Sequence, residues 1–276
     1  MSEISERVNI QGPISNSQIA IGDHNIQLQN LTGVTVNITS ADQRPIWERS
    51  KKTASSRPRP PRLFLDRTAE VQMVNHSVQA FQPVSLDGVA GFGKSTLLRQ
   101  LSFLLRPGQY RDGIHHLPAL RLKMEDLLQD IFSIFYTSNQ PALPNRAQLQ
   151  DLLQEINAVL LIDDVDLNPD ELQVMLDLLP NCMFVIAATQ QVLQSGFKTI
   201  QLGGLPESDA IALFESQLER ALNENERQIV CEISELLLGH PESLFCVAAT
   251  THRDGLNLAE VQEKLTGLTQ EAKNVA

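Results

Sequence analysis

The sequence has few cysteines, no long apolar run and few basic residues, and each of these features excludes classes of protein. The chain has only 3 cysteines, and their isolated positions exclude a disulfide framework and the paired spacing of a zinc site. No apolar run is long enough to cross a bilayer, and the first residues lack the apolar stretch of a secretory signal. Basic residues number 22 against 33 acids, and the charge of −11 argues against non-specific binding to nucleic acid. We therefore expect a cytoplasmic protein with no membrane span.

Composition divides the chain into three regions. Residues 1–43 are β-prone: positions 8–40 carry one formal charge, Asp23, and alternate aliphatic with amide and hydroxyl side chains, which predicts short strands and turns. Residues 44–61 are basic and increasingly rich in proline, which predicts a disordered linker. From residue 62 onward, strand and helix patterns alternate, which predicts a parallel sheet wrapped by helices.

The third region gives specific predictions of strands and helices. Strands are predicted at 84–87, 114–122, 158–163 and 183–188, and helices at 124–136, 148–156 and 171–179. After residue 205 the strand patterns end, and four helical segments follow at 207–220, 224–238, 242–250 and 258–265. The predicted fold class is therefore α/β, with a parallel-sheet domain over 62–204 followed by a small helical bundle over 205–276.

A phosphate-binding sequence follows the first predicted strand. Residues 88–95, GVAGFGKS, contain a glycine, four further residues and then Gly-Lys-Ser, and the next residues begin a helix. In this setting the glycines let backbone N–H groups turn toward phosphates, Lys94 reaches the outer phosphates, and Ser95 ligates Mg²⁺. The sequence therefore predicts a P-loop NTPase domain that binds a nucleoside triphosphate with Mg²⁺.

Acidic residues follow the apolar strand 158–163. Asp163 stands at its carboxyl end, where ligands collect in open α/β sheets, and is predicted to hold the Mg²⁺ shell through water. Asp164 is the candidate catalytic base or water-positioning residue. The pair His115 and His116 lies in the strand-like run 114–122, and we interpret it as structural rather than as a metal site.

Further motifs resemble one family of nucleotide switches. Residues 63–70, 110–114 followed by 124–128, 202–214 and 239–244, taken together with the phosphate loop, are similar in content and order to the NB-ARC branch of the STAND ATPases. That family includes plant resistance proteins, the apoptosome scaffold and many bacterial regulators. The resemblance covers about residues 62 to 265.

The resemblance implies a nucleotide site shared by the sheet and the bundle. Leu65 and Arg67 would lie near the adenine, and Pro241 would pack on it from the helical side. The implied cofactors are ATP or ADP and Mg²⁺, with Ser95 and Asp163 at the metal. The residues implied at the phosphates are Gly88, Gly91, Gly93, Lys94, Ser95, Thr96 and Thr189.

Two departures from the family pattern affect the expected activity. The family's sensor strand usually ends in an arginine that reads the γ-phosphate, whereas here Gln190 follows Thr189. Because glutamine brings no charge to the transition state, we expect slow hydrolysis at most. The family normally continues into a winged helix and a sensor repeat array, so we expect either a fragment of a longer protein or a minimal form.

The N-terminal sequence IAIGDHN, residues 19–25, resembles the core of the RIP homotypic interaction motif and bacterial amyloid signalling motifs, with Ala20 in place of a glutamine. Stacked copies would repeat Ile19 and Ile21 along one face and align amide side chains in ladders. A strand pair that joins a partner's sheet and a disordered polar leader remain alternative interpretations.

These observations favour a signalling switch that binds ATP or ADP. The resemblance implies that ATP promotes a homo-oligomer, which brings N-terminal segments together and recruits an effector with a matching amyloid-like motif, as in bacterial cell death or immunity. An ordinary P-loop enzyme such as a small-molecule kinase, or a DNA-associated ATPase, is the alternative. The acidic charge disfavours a nucleic-acid partner.

Overall fold

The computed structural model describes residues 6–11, 19–22, 25–28, 35–40, 45–50, 56–65, 67–106, 108–139, 144–188 and 197–275. The chain divides into two compact units. One comprises Met1–Arg49 and Tyr136–Ala142, and the other comprises Ser50–Phe135 and Leu143–Ala276.

Strands and helices alternate along the chain from Thr68 to Ala188, and four consecutive helices follow Gln201. The strands of the chain are β1 (Glu6–Gln11), β2 (Ile19–Gly22), β3 (Asn25–Leu28), β4 (Thr35–Ser40), β5 (Trp47–Arg49), β6 (Val84–Asp87), β7 (Ile114–Pro118), β8 (Tyr136–Ser138), β9 (Val159–Val165), β10 (Met183–Ala188) and β11 (Lys198–Gln201). The helices are α1 (Thr68–Gln79), α2 (Lys94–Leu104), α3 (Met124–Phe135), α4 (Arg146–Leu153), α5 (Pro169–Leu178), α6 (Glu207–Leu218), α7 (Glu224–Leu236), α8 (Pro241–Asp254) and α9 (Leu258–Val275).

A five-stranded parallel sheet forms the centre of the larger unit. Its strand order is β11-β6-β10-β9-β7, and every neighbouring pair is parallel. All residues of β6 and β10 are buried, as expected of central strands covered on both faces. Side chains from α1 and α2 pack with those strands in one apolar core. The predicted α/β fold class is confirmed, and the carboxyl ends of β6, β9 and β10 meet at one edge.

Two details of the sheet differ from the sequence prediction. The strand predicted over 114–122 ends at Pro118, and the chain then turns, with Arg121 in the left-handed region at φ 61°. Pro118 carries no N–H for a ladder, which is consistent with a strand ending there. Strand β11 was not predicted, because its four residues alternate only weakly and it lies at the sheet edge.

The four helices predicted after residue 205 are present as α6 to α9. Their shared core includes Phe214, Val230, Ile233 and Leu244, all fully buried. Helix α7 begins with a capping box in which Asn223 and Glu226 satisfy each other's backbone N–H groups, which explains why it starts at Glu224. Within the described part of the chain, no helix combines the length and apolar character needed to cross a membrane.

Among the residues that the structure describes, the smaller unit contains three strand pairs. Strands β1 and β4 pair antiparallel, as do β2 with β3 and β5 with β8. The β-prone segment therefore forms strands that pair within the chain. The disordered linker predicted over 44–61 needs correction, because β5 lies inside it. Its backbone pairs with β8, and the guanidinium of Arg49 lies 5.4 Å from the ring centre of Tyr136.

The later part of the predicted linker is also bonded to folded structure. In the larger unit, the backbone N–H of His116 on edge strand β7 donates to the carbonyl of Ser56 at 3.0 Å. The backbone N–H of Ser56 donates to Nδ1 of His115 at 3.3 Å. Proline and arginine content indicated disorder, but a sheet edge offers partners that a free linker lacks.

Candidate functional site

The phosphate loop connects β6 to α2 at the carboxyl edge of the sheet. Gly91 and Gly93 both have left-handed backbone conformations, at φ 83° and 86°, which residues other than glycine rarely adopt. Gly93 is the N-cap of α2, so the first N–H groups of that helix point toward the loop. The local geometry is a cradle of backbone donors at a helix start, which suits an anion. Thr96, the other predicted phosphate residue of this turn, lies in the first turn of α2.

The side chain of Lys94 folds back over this loop. Its Nζ donates to the carbonyl oxygen of Gly88, and to that of Val89 at 3.2 Å. Burial lowers the pKa of Lys94, while the negative charges of Asp164, Asp87 and Asp163 act in the opposite direction. The loop thus holds the Lys94 side chain within electrostatic reach of three carboxylates.

Ser95 and Asp163 are brought together from α2 and β9. The hydroxyl of Ser95 donates to Oδ1 of Asp163 at 2.9 Å. Burial raises the pKa of Asp163, and the hydrogen bond from Ser95 opposes that shift. A hydroxyl and a carboxylate at this distance are oxygen ligands of the kind that Mg²⁺ prefers, so the pair fits the predicted metal.

Asp164 follows in an unusual backbone conformation. Its φ is 57°, in the left-handed region, and the pairing of β9 with β10 shifts register at this point. Such conformations are maintained where surrounding structure fixes them, and they are frequent at functional sites. The structure places Asp164 beside Asp163 and within electrostatic reach of Lys94; its role as base or water-positioning residue stays a prediction.

Arg67 bridges the loop and the segment that leads to the bundle. Its Nη2 donates to the carbonyl oxygens of Phe92, at 3.3 Å, and Gly203, at 2.9 Å. Its Nη1 forms an ion pair with Glu70 at 3.0 Å. Leu65 packs against the core of the bundle. Proximity of Leu65 and Arg67 to an adenine stays a prediction; the structure assigns Arg67 a bridging contact that the sequence did not indicate.

The start of α8 lies directly on the phosphate loop. Nε2 of His240 donates to the carbonyl oxygen of Ala90 at 2.8 Å, while its Nδ1 accepts from the backbone N–H of Ser243 at 3.2 Å. The rings of His240 and Phe92 meet edge to face with centroids 4.9 Å apart. The sequence motif 239–244 indicated only Pro241, the first residue of α8, as a site residue, and the contacts of its neighbour His240 were not predicted.

Gly91 is the position of closest approach between α8 and the loop. A Cβ atom there would lie 2.2 Å from Cε1 of His240 and 2.6 Å from Oε2 of Glu242. The backbone N–H of Glu242 also donates to the Gly91 carbonyl at 3.3 Å. The bundle therefore contacts the loop without room for an added methyl group. Thr189 and Gln190, predicted at the end of β10, lie outside the described residues.

Solved structures share this fold. A Walker-type ATPase of Pyrococcus abyssi is 18% identical with a TM-score of 0.50, and the match covers 80% of this chain and 79% of that one. The Drosophila ORC bound to DNA is 15% identical with a TM-score of 0.51, covering 75% and 66% of the two chains. The chain has the fold of a P-loop NTPase.

A STAND protein with a tetratricopeptide repeat sensor from Pyrococcus horikoshii is also similar, at 15% identity over 70% of this chain and 30% of that one. Its TM-score of 0.44 is too low to support a closer relationship. No protein-family model matches the sequence, and no curated protein matches it.

Proposed function

We propose that this P-loop NTPase fold binds ATP or ADP with Mg²⁺ at the loop 88–95. The N–H groups of Gly88, Gly91, Gly93 and the first turn of α2, including Thr96, would hold the phosphates, with the Lys94 ammonium beside them. Ser95 and Asp163, already 2.9 Å apart, would hold the metal. When bound, Mg²⁺ supplies positive charge to the phosphate oxygens.

The adenine base of the nucleotide would lie between the sheet and the helical bundle. Leu65 packs on the bundle core, Arg67 bonds to the loop, and Pro241 begins the helix that contacts it. An aliphatic side chain, a guanidinium and a proline ring are suited to cover the faces of an adenine. Thr189, at the end of β10, is proposed to contact phosphate or water. With Gln190 in place of an arginine, hydrolysis would be slow.

The contact between α8 and the phosphate loop supports a switch rather than a metabolic enzyme. Since His240 and Glu242 bond to the backbone of Ala90 and Gly91, any change in loop conformation on nucleotide binding alters the attachment of the bundle. A nucleotide that favours one arrangement shifts the population by its differential affinity. We infer that ADP and ATP stabilise different attachments of α6–α9.

The output is proposed to be of the NB-ARC type. ATP would promote a cytoplasmic homo-oligomer, and the segment 1–43, tethered by 44–61 to the domains 62–204 and 205–276, would then nucleate homotypic assembly and recruit an effector with a matching motif. The described residues of the amyloid-like sequence lie in the strand pair β2–β3, which supports the β-forming character of this segment.

Binding and exchange measurements test the nucleotide switch. Lys94→Ala should abolish binding of a fluorescent ADP or ATP analogue, whereas Lys264→Ala, which removes an exposed lysine of α9, should not. Hydrogen exchange at the start of α8 should differ between Mg·ADP and a non-hydrolysable Mg·ATP analogue. Wild-type affinity in Lys94→Ala would refute the site, and identical exchange with both nucleotides would refute the switch.

The assembly step needs a separate measurement. The full-length protein with the non-hydrolysable ATP analogue should form thioflavin-positive, seedable fibres, and Ile21→Asp should prevent them because a carboxylate repeats along the stack. A nucleotide-dependent oligomer without fibres would leave the switch in place and remove the amyloid-like output. Rapid phosphoryl transfer to a small metabolite would favour a kinase instead.

A further inference from the structure

The two carboxylate oxygens of Asp163 have different neighbours. Oδ1 accepts the hydrogen bond from Ser95, whereas Oδ2 lies 3.8 Å from Nε2 of His116. The side chains of His116 and Asp163 are both buried, with 8% and 7% of their surface exposed. An imidazole nitrogen therefore stands next to the proposed metal-binding carboxylate, inside the protein.

The strand register determines this proximity. Strands β7 and β9 are parallel neighbours, with His116 opposite Leu161 and Pro118 opposite Asp163. Side chains two residues apart on a strand point to the same face, so those of His116 and Asp163 share a face of the sheet. Helix α2, which carries Ser95, contacts both strands. The three side chains thus come from three regular elements rather than from a loop.

The two adjacent histidines differ in hydrogen bonding. His115 uses both ring nitrogens: Nδ1 accepts from the Ser56 N–H, and Nε2 donates to the Asp112 carbonyl at 2.7 Å. Nε2 of His116, in contrast, is buried and has no hydrogen-bond partner among the described residues. A buried polar atom without a hydrogen-bond partner destabilises the fold, and native proteins contain few such atoms.

The position of the imidazole suits a donor role, because its Nε2 lies 3.8 Å from a carboxylate oxygen of Asp163. A neutral imidazole carries one N–H, which a neighbouring carboxylate favours on the nitrogen that faces it. The 3.8 Å separation of Nε2 and Oδ2 is about 0.8 Å longer than a typical N–H···O hydrogen bond of about 3.0 Å, so the proposed bond requires the two side chains to approach each other.

We propose that His116 is a positioning residue for the metal site: its Nε2–H donates to Oδ2 of Asp163 and fixes the carboxylate so that Oδ1 faces Ser95 and the Mg²⁺ shell. The proposal rests on the proposed nucleotide function. It assigns His116 no direct bond to the metal, because Oδ1, which Ser95 contacts, is the carboxylate oxygen on the proposed metal side.

The test compares nucleotide binding with and without metal in full-length variants. His116→Phe removes the donor and keeps a ring, His116→Asn keeps an N–H donor, and His76→Phe is the control at an exposed histidine of α1. In His116→Phe, the Mg²⁺ concentration that gives half of the metal-dependent gain in ATP affinity should rise about 10- to 100-fold, with metal-free affinity within about twofold of wild type. His116→Asn should recover part of that loss. Thermal unfolding verifies that each variant is folded.

Other results would overturn the proposal, and they separate it from the nucleotide assignment. Equal losses with and without Mg²⁺ would show that His116 only maintains structure. A nitrogen coupling in the electron spin-echo spectrum of bound Mn²⁺, lost in His116→Phe, would make it a ligand instead. Unchanged Mg²⁺ dependence in His116→Phe, with normal wild-type binding of Mg·ATP, would refute the positioning role alone. Absence of ATP binding in the wild type would refute both proposals.

Discussion

Nε2 of His240 donates a hydrogen bond of 2.8 Å to the carbonyl oxygen of Ala90, across 150 residues of sequence. The bond joins the first residue before α8 to the middle of the phosphate loop, and Nδ1 of the same ring caps α8 through Ser243. One imidazole therefore both starts a helix of the bundle and attaches that helix to the loop.

Gly91→Ala should detach α8 from the loop and lower stability. The left-handed φ alone should contribute about 1–2 kcal/mol of destabilisation, and the clash of the new methyl with His240 adds to it. Denaturant midpoints measure the change. Gly267→Ala is the control: Gly267 is an exposed residue of α9 with open space around it, so alanine should stabilise by about 0.5–1 kcal/mol. Equal stability of Gly91→Ala and wild type would argue that α8 does not rest on the loop.

His240→Asn should keep the cap of α8 and lose the bond to Ala90, because the shorter amide can still accept from Ser243 but ends before the loop. His240→Ala loses both and should be about 1 kcal/mol less stable than His240→Asn. Hydrogen exchange at the start of α8 should rise in both variants. Protection in His240→Asn equal to wild type would show that the Ala90 bond contributes nothing to the attachment.

Asp163→Asn should raise stability at neutral pH while it weakens Mg²⁺-dependent binding. Burial raises the pKa of Asp163 in the folded state, so the fold favours the protonated carboxyl. The stability that protonated Asp163 contributes is fully present below the pKa of Asp163 in the unfolded chain. It is lost as pH rises through the higher pKa of Asp163 in the folded protein. Asparagine does not ionise, so variant and wild type should diverge as pH increases above about 4. Melting temperatures of the nucleotide-free proteins between pH 3 and 8 measure this; a difference between variant and wild type that does not grow as pH rises would contradict it.

Glu226→Gln should reduce the loss of stability in acid. Two hydrogen bonds from Arg220, of 2.7 and 2.9 Å, and one from the backbone of Asn223 lower the pKa of Glu226 to about 2. Because this pKa is depressed, the ionised carboxylate contributes stability above its ordinary value of 4.5, and that stability disappears as pH falls toward 2. The effect should be small, since both side chains are near solvent.

Glutamine retains the capping box at this position, so any change in pH dependence reports the charge. The matched control is Glu224→Gln, at an exposed glutamate of the same helix. Unfolding midpoints at pH 2, 3, 4.5 and 6 are the measurement. If both variants respond to acid in the same way, the pair with Arg220 does not stabilise the folded protein.

Local patterns in the sequence predicted the sheet and the bundle. The apolar run of β9 and the spacing of Leu127, Leu128 and Ile131 in α3 are local signals, and the structure contains both elements. Strand β11 gave no comparable signal, because Lys198–Gln201 is short and lies at the sheet edge.

The site was predictable only in part for a related reason. Ser95 and Asp163 were identified because a loop motif and a strand end specify them locally. The partners of His240 and Arg67 in the loop are backbone carbonyls, which every residue carries and no sequence pattern marks. For His115 and His116, alternation places the two rings on opposite faces, but only the strand order brings His116 beside Asp163.

The hydrogen bond between Ser56 and His116 has a consequence for self-association. Strand β7 ends the sheet, and an uncovered edge offers N–H and C=O groups to any passing strand. The segment that covers it continues through Pro58, Pro60 and Pro61, which have no N–H to donate. A foreign strand that approaches this side meets a poor template. Assembly of several molecules by strand addition is thus disfavoured at β7. The N-terminal segment of the same protein, in contrast, is proposed to assemble by strand addition.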